Sequence, residues 1–333
     1  MAWAAYFPQF TDEVSDSALA GVSPENRERY LSDFAIAEVL NPTSRPHVIA
    51  LSLFYPGSAE QGIVDESLLR GRVGEDRPSP WELYFEPLLK FGPELVRDHQ
   101  DIGIVIFLAA DLIFLAARLA RFCEVRIMRT RSAHSCPGIL WRLLALESNY
   151  GSVTILDADL MATALIKVRL TQSLKEHRLG WWRAPVPRDF FEDKINYRPV
   201  AGCYWGTHLR LKIRDHIVAL RHLQETRPNF FLAIHPKYGR RRFPLLGSAW
   251  PEHFHDEFFL GLVVYPRLAS AGTLTLLATG QWSDYLALDI EYVTSASPRS
   301  EISYDLHRIV ARNLPPLGSG SRKYKNLSPA TPS

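Results

Sequence analysis

The sequence predicts an α/β fold: a mixed, mainly parallel central sheet flanked by helices, with an N-terminal helical extension. Three observations predict it. Between His47 and Leu156, short aliphatic runs alternate with helix-like segments, an order that builds parallel strands joined by right-handed crossovers. The run Ser152–Leu156 is apolar and rich in β-branched residues, which marks a buried strand. Ahead of both, Ser23-Pro24-Glu25 reads as a helix start: a hydroxyl cap, a proline where its missing N–H costs nothing, and an acid at the positive helix end.

The elements follow in order. Tyr30, Leu31, Phe34, Ala35 and Val39 form one apolar stripe, and Asn41-Pro42 stops the helix that carries it. Val48–Phe54 is the first expected strand, followed by a Pro- and Gly-rich loop to about Pro80 and a helix over Trp81–Val96. Ile102–Leu108 is a second strand, Asp111–Phe122 a helix that Asp111 can cap, and Val125–Met128 a third strand. A helix over Ile139–Leu146 leads into Ser152–Leu156, and another runs over Ala162–Glu176. Later, Gly180–Pro185 and Phe230–Ile234 read as strands, Thr207 caps a helix with Leu209, Ile213, Ile217 and Leu220 on one face, and Tyr285–Val293 is a last strand. From about Leu314, Gly, Ser, Lys and Pro predict a disordered tail.

Bulk properties narrow the class. The chain of 333 residues has 47% hydrophobic and 22% charged residues, ordinary for a globular protein. A net charge of +2 argues neither for nor against a polyanionic partner. Three widely spaced cysteines, Cys123, Cys136 and Cys203, exclude a disulfide framework and a Cys-rich zinc site and suit a reducing compartment. The first ten residues lack a basic start and a long apolar core, so no signal peptide is visible and a cytoplasmic location is expected. Ile102–Cys123 is apolar enough to test as a membrane span, but Asp111, Arg118 and Arg121 interrupt it, each costly in a bilayer.

The chemistry concentrates at the end of the strand Ser152–Leu156. Asp157 and Asp159 leave it spaced i, i+2, and in an extended backbone alternate side chains share a face. Two such acids repel unless a positive group sits between them, and a hard divalent cation carrying substrate phosphates is the simplest one. A helix N-cap or a surface turn would also use these residues. Neither G-x-G-x-x-G nor G-x-x-x-x-G-K-[ST] occurs, so a bound nucleotide would be held by metal and basic side chains rather than by a backbone cradle. Arg240–Arg242 and Arg322–Lys325 are basic enough to touch phosphates.

Four pieces fall in a recognisable order: Gly138-Ile-Leu-Trp-Arg142, Leu156-Asp-Ala-Asp159, Ala201-Gly-Cys-Tyr-Trp-Gly206 and His255-Asp-Glu-Phe-Phe-Leu260. The set resembles bacterial nucleotide-sugar glycosyltransferases of the GT-A fold, over about His47 to Arg267. It departs from them at Ala201, where a glycine is common, and at Glu257, where glutamine often stands. The resemblance implies a catalytic domain over 46–313, with a nucleotide-binding half over 46–159 and a donor-sugar and acceptor half over 160–313, between the extension (1–45) and the tail (314–333). It implies a donor nucleotide-diphosphate sugar and Mn2+ or Mg2+. Asp159 would ligate the metal, and Asp157 would hold the ribose or a metal-bound water. Arg142 would reach the phosphates or sugar as a charged fork, unless it merely pairs with Glu147 or another acid. Gly202, Trp205 and Gly206 would line the donor sugar, with Trp205 as a core aromatic the structural alternative. Asp256 and Glu257 would bind hydroxyls or supply the general base. Trp181 or Trp182 could stack on a sugar ring, and His253, His255 and His307 are possible third ligands. The acceptor would be a glycan, a protein, a small molecule or, less in keeping with the neutral charge, a nucleic acid. Two rival classes stay open: a phosphatase of the haloacid dehalogenase type, which places its nucleophile after a buried strand but has Thr or Val where this chain has Met161, and a non-catalytic nucleotide- or nucleic-acid-binding protein.

Overall fold

The computed structural model describes residues 12–55, 64–71, 78–132, 137–173, 180–184, 204–227, 232–235, 239–242, 259–260, 274–278 and 292–295. Eleven strands are numbered in chain order: β1 (Ile36–Leu40), β2 (His47–Leu53), β3 (Ile102–Leu108), β4 (Glu124–Met128), β5 (Ser152–Leu156), β6 (Gly180–Ala184), β7 (Tyr204–Thr207), β8 (Leu232–His235), β9 (Gly239–Arg242), β10 (Leu274–Ala278) and β11 (Tyr292–Ser295). The helices are α1 (Asp12–Ala20), α2 (Pro24–Leu31), α3 (Glu66–Arg70), α4 (Glu86–Asp98), α5 (Ala116–Leu119), α6 (Gly138–Trp141), α7 (Ala164–Ser173) and α8 (Ile213–Thr226).

The main sheet has the order β1-β4-β3-β2-β5-β7-β6-β10-β11, and β8 pairs with β9 separately. β4, β3, β2 and β5 run parallel, so their carboxyl ends share one edge. β7 is antiparallel to both β5 and β6, which makes the sheet mixed. β3 and β5 are buried along their whole length, as strands covered on both faces must be. The α/β class and the mixed sheet expected from the sequence are present, but the sheet is parallel mainly in its β4-β3-β2-β5 part: four pairings in it are parallel and four antiparallel.

Several local expectations are corrected. The helix expected to run to Val39 stops at Leu31; a 3-10 turn (Ser32–Phe34) follows, and Ile36–Leu40 is an edge strand antiparallel to β4. Residues 36–40 thus join the sheet rather than a helical extension. Open hydrogen-bonding groups on β4 and β-branched residues at Ile36 and Val39 outweigh a stripe whose spacing fits a helix nearly as well. Asn41, at φ 47, turns the chain out of this strand, a conformation that asparagine tolerates better than most residues. Asp111 does not cap a helix. Its carboxylate accepts from the backbone N–H and the hydroxyl of Ser132, and the segment behind it is a 3-10 turn (Ala110–Leu115) followed by α5. Thr207 ends β7, and the next helix begins at Ile213. The basic cluster Arg240–Arg242 lies in β9. The apolar stretch after Ile102 is a strand plus short turns, and among the described residues no helix is long and apolar enough to cross a membrane.

The N-terminal helices pack on the body as expected. α1 and α2 lie against α8, where Arg29 forms an ion pair with Glu225 and Arg27 one with Asp215. The predicted cap is present, Ser23 accepting from the Asn26 N–H.

Gly206 shows how closely α7 approaches the sheet. A Cβ there would overlap the Thr171 hydroxyl and come within 2.9 Å of the Thr171 Cβ. Gly206→Ala should therefore cost about 1–3 kcal/mol, read as a lower urea midpoint. Thr171→Ala in the same chain should restore part of that loss, giving a non-additive double-mutant cycle; strict additivity would refute the contact.

Candidate functional site

The carboxyl edge of the parallel strands carries the site. β5 ends at Leu156, and the backbone turns at once into a 3-10 helix over Ala158–Thr163. The two acids therefore straddle a strand-to-helix junction instead of lying on one extended face. Asp157 occupies the N-cap position, but its side chain makes no capping hydrogen bond. It is drawn instead to Arg142, forming an ion pair with Nη1. The same Nη1 donates to the Leu156 carbonyl at 3.0 Å, and the Arg142 backbone N–H donates to Ser52 Oγ of β2 at 2.9 Å. Arg142 is 3% exposed, whereas the Asp157 side chain is 39% exposed.

Arg142 meets an acid, as the plainer alternative had it, but the acid is Asp157 and not Glu147. Glu147 pairs with Arg214 and accepts from its backbone N–H, not with Arg142. The buried guanidinium holds Asp157, which does reach solvent. Arg142 thus orients one acid and neutralises its charge.

Asp159 is in the opposite situation. It is exposed by area, and among the described residues it has no ion pair. Its carboxyl is nonetheless pushed up to about 6, first by desolvation from the chain packed around it and second by the Asp157 carboxylate; Arg142 and Lys167 pull the other way. Lys167 is buried on α7, in the stripe Ala164, Lys167, Val168, Thr171 that faces the sheet. Tyr84 completes the neighbourhood. It lies in a π-helical turn, Trp81–Phe85, that packs on the 158–163 turn, and its hydroxyl is pushed up by burial and then by both carboxylates. Single π-turns inside longer helices recur at functional sites. Tyr84 and Lys167 were missed in the sequence. A lysine inside an apolar helical stripe was a usable signal; Tyr84 had none.

The other expected residues divide. Trp205 is fully buried in the core, paired in register with Ile155, the position of the core aromatic that was its structural alternative. Gly206 answers to Thr171, as above. Both lie back from the sheet edge, in the body of β7, because the strand that places them beside β5 also encloses them. Gly202, Asp256, Glu257, His253, His255 and His307 lie outside the described residues. Phe259 and Leu260, just beyond the two acids, are buried core residues. β6 carries Trp181 and Trp182 on a strand as expected. Cys123 is buried, and burial raises its thiol far above the ordinary range, so it is no nucleophile.

Among the described residues no group of three or more His, Cys, Asp or Glu could hold a metal ion. Asp157 and Asp159 would thus offer a cation at most two carboxylates, a set that suits Mg2+-type ions sharing their shell with substrate phosphates and water. No family model, curated protein or solved structure matches the chain. The reading of the site rests on its own geometry.

The two acids should respond oppositely to mutation. Asp157→Ala removes the carboxylate partner of a buried guanidinium and should cost about 2 kcal/mol, less than for a wholly buried pair because Asp157 is partly solvated. Asp159→Asn should stabilise the fold at pH 8. The Asp159 carboxyl is shifted upward, so the folded chain holds that proton more tightly than the unfolded chain. That stability is fully present below the ordinary value of 3.8 and lost as pH rises through about 6. The gain from Asp159→Asn should therefore vanish near pH 4. Urea midpoints at pH 4 and pH 8 test this, and a loss of stability at pH 8 would contradict it.

Proposed function

We propose that this chain is a metal-dependent glycosyltransferase that takes a sugar from a nucleotide-diphosphate sugar and attaches it to an acceptor hydroxyl. The observation that carries the reading is Asp159: an acid at the carboxyl edge of the parallel part of a mixed sheet, crowded by a second acid, and lacking an ion pair among the described residues. Ligands of open α/β sheets bind at this edge, and a carboxyl perturbed by burial and a like charge in such a place marks a functional candidate.

The residues divide the work. Asp159 would hold the cation, and Asp157, fixed by Arg142, would present its outer oxygen to the ribose or to a water on the metal. A divalent cation supplies charge for the departing diphosphate without a proton transfer. In the transfer the bond between anomeric carbon and phosphate oxygen breaks with its electron pair going to the diphosphate. The acceptor oxygen bonds the same carbon and gives up its proton to a base, for which Asp256 and Glu257 are the candidates. Lys167 and Arg142 set the local potential beneath the two acids, which keeps a site of two carboxylates tolerable before any ligand arrives. The mixed sheet, with antiparallel β7 beyond the acid-bearing β5, accords with the architecture that the resemblance implies. For a phosphatase with Asp157 as nucleophile the fit is poorer: that carboxylate is tied to Arg142, and Met161 is buried and brings no hydroxyl.

The test is a thermal-shift panel of nucleoside diphosphates with and without Mn2+. At about 100-fold excess over Kd, one of them should stabilise the wild type by about 2.7 kcal/mol, a rise of several degrees, only when the metal is present. Asp159→Asn should weaken that binding at least about 100-fold while remaining folded. Metal-independent binding of equal strength in the variant would overturn the metal role. Binding of no nucleoside diphosphate would overturn the transferase.

A further inference from the structure

We propose that His47 is an acid-sensitive latch at the amino edge of the sheet: once protonated, it draws Asp101 away from α7 and loosens the helix that carries Lys167. His47 opens β2 and is paired in register with Ser152, the first residue of β5. Its Nδ1 lies 2.8 Å from the Ser152 hydroxyl. Ser152 is 1% exposed, and among the described residues its hydroxyl makes this hydrogen bond and no other. In the neutral ring the Nδ1 lone pair accepts the Ser152 proton. In the imidazolium both ring nitrogens are donors, and the buried hydroxyl loses its acceptor, a costly loss away from water.

The surrounding charges give the proton somewhere to act. Asp101, just ahead of β3, accepts from Arg169 Nη1 at 2.7 Å and from Gln172 Nε2 at 3.0 Å, and these bonds tie the last turn of α7 to the amino edge. Burial works against that carboxylate, but Arg169 and Gln172 outweigh it and hold the carboxyl down to about 2, so it stays ionised. The His47 backbone N–H donates to the Asp101 carbonyl, which keeps the two residues adjacent. The other groups around His47 are basic. They are Arg169 of α7, His208 after β7 with its ring between the Gly151 and Thr171 carbonyls, and His99 beside Arg169. Arg45, two residues earlier, is held by the carbonyls of Val96, His99 and Ile102. His47 is kept below its ordinary value first by burial; Asp101 pulls it up, and His208 and Arg169 push it down. The folded chain therefore takes up this proton less readily than the unfolded chain. The stability that His47 contributes is present above its ordinary 6.5 and lost as pH falls below it. An imidazolium here is repelled by Arg169 and His208 and attracted to the carboxylate that holds α7. Two arrangements follow: neutral His47 on Ser152 with Asp101 on α7, or charged His47 on Asp101 with the last turn of α7 released. Protonation of histidine clusters switches other interfaces in this way. Because α7 also carries Lys167, the latch reaches the acids at the opposite edge through one helix. It needs neither donor nor metal and stands without the transferase reading.

The test is hydrogen exchange of the full chain, without nucleotide or metal, read on α7 at pH 7.5 and pH 5 in the wild type and in His47→Gln. The glutamine carbonyl can accept from Ser152 and takes up no proton at either pH. The two chains should protect α7 equally at pH 7.5, and at pH 5 the wild type should protect it about tenfold less. Asp159, which changes charge near pH 6, and His99 and His208 are common to both chains, so the difference belongs to His47. In an Arg169→Gln background, where an anchor to Asp101 is already gone, the difference should disappear. If His47→Gln does not fold, the wild type alone decides: by NMR the His47 ring should titrate below 6.5, and the α7 amides should shift with the same midpoint. Equal protection of α7 in the two chains at pH 5, a difference that persists without Arg169, or α7 amides that ignore the His47 midpoint would each overturn the latch.

Discussion

Arg142 ties together the parts of this molecule that would otherwise be free to shift at the sheet edge. Its backbone N–H fixes the turn after α6 to Ser52 of β2, and its guanidinium fixes the last carbonyl of β5 and the carboxylate of Asp157. A charge so nearly buried is costly unless paired, and its partner is the first residue past the strand. The junction from β5 into the 158–163 turn is therefore set by an ion pair where a backbone cap would be the usual device. Had Asp157 capped the turn with its own side chain, Arg142 would lose this carboxylate.

An asymmetry between the two acids follows. Asp157 is spent on the fold and carries its charge against a fixed cation. Asp159 inherits the repulsion of that charge and the desolvation of the surrounding chain, with Arg142 and Lys167 as incomplete compensation. Identical side chains two residues apart thus acquire different chemistry from their positions relative to one buried arginine. The same division explains why two carboxylates persist at one edge: the first is offset in part by Arg142, and the second carries what repulsion remains.

Much of the sheet was legible in the sequence, because β2, β3, β4 and β5 are short runs built mostly on aliphatic residues, which favour burial. β5 falls on the expected residues. β1 was not legible, since a five-residue edge strand exposed over its three central residues shows no alternation to set it apart from a helix end. The site was legible in part. Asp157 and Asp159 announced themselves by their spacing after a buried strand, and Arg142 by its place in the preceding helix. The partnership between Arg142 and Asp157 was not, because local spacing cannot say which of several acids, Glu147 among them, a charged side chain will meet across a sheet. The position of Trp205 was hidden for a related reason: the residues along the chain do not show the register of β7 on β5 that places it in the interior.

The packing around Gly206 connects these features. α7 lies so close to the sheet that Thr171 leaves no room for a Cβ on β7, and Thr171 also meets Thr154 of β5 at 2.9 Å. The same helix brings Lys167 beneath the acids. If α7 rode higher on a bulkier β7, Lys167 would retreat from Asp159, and that carboxyl would lose one of its compensating charges. The glycine that the sequence offered as a sugar contact therefore acts on the site from a distance, by setting how closely a cation can approach it.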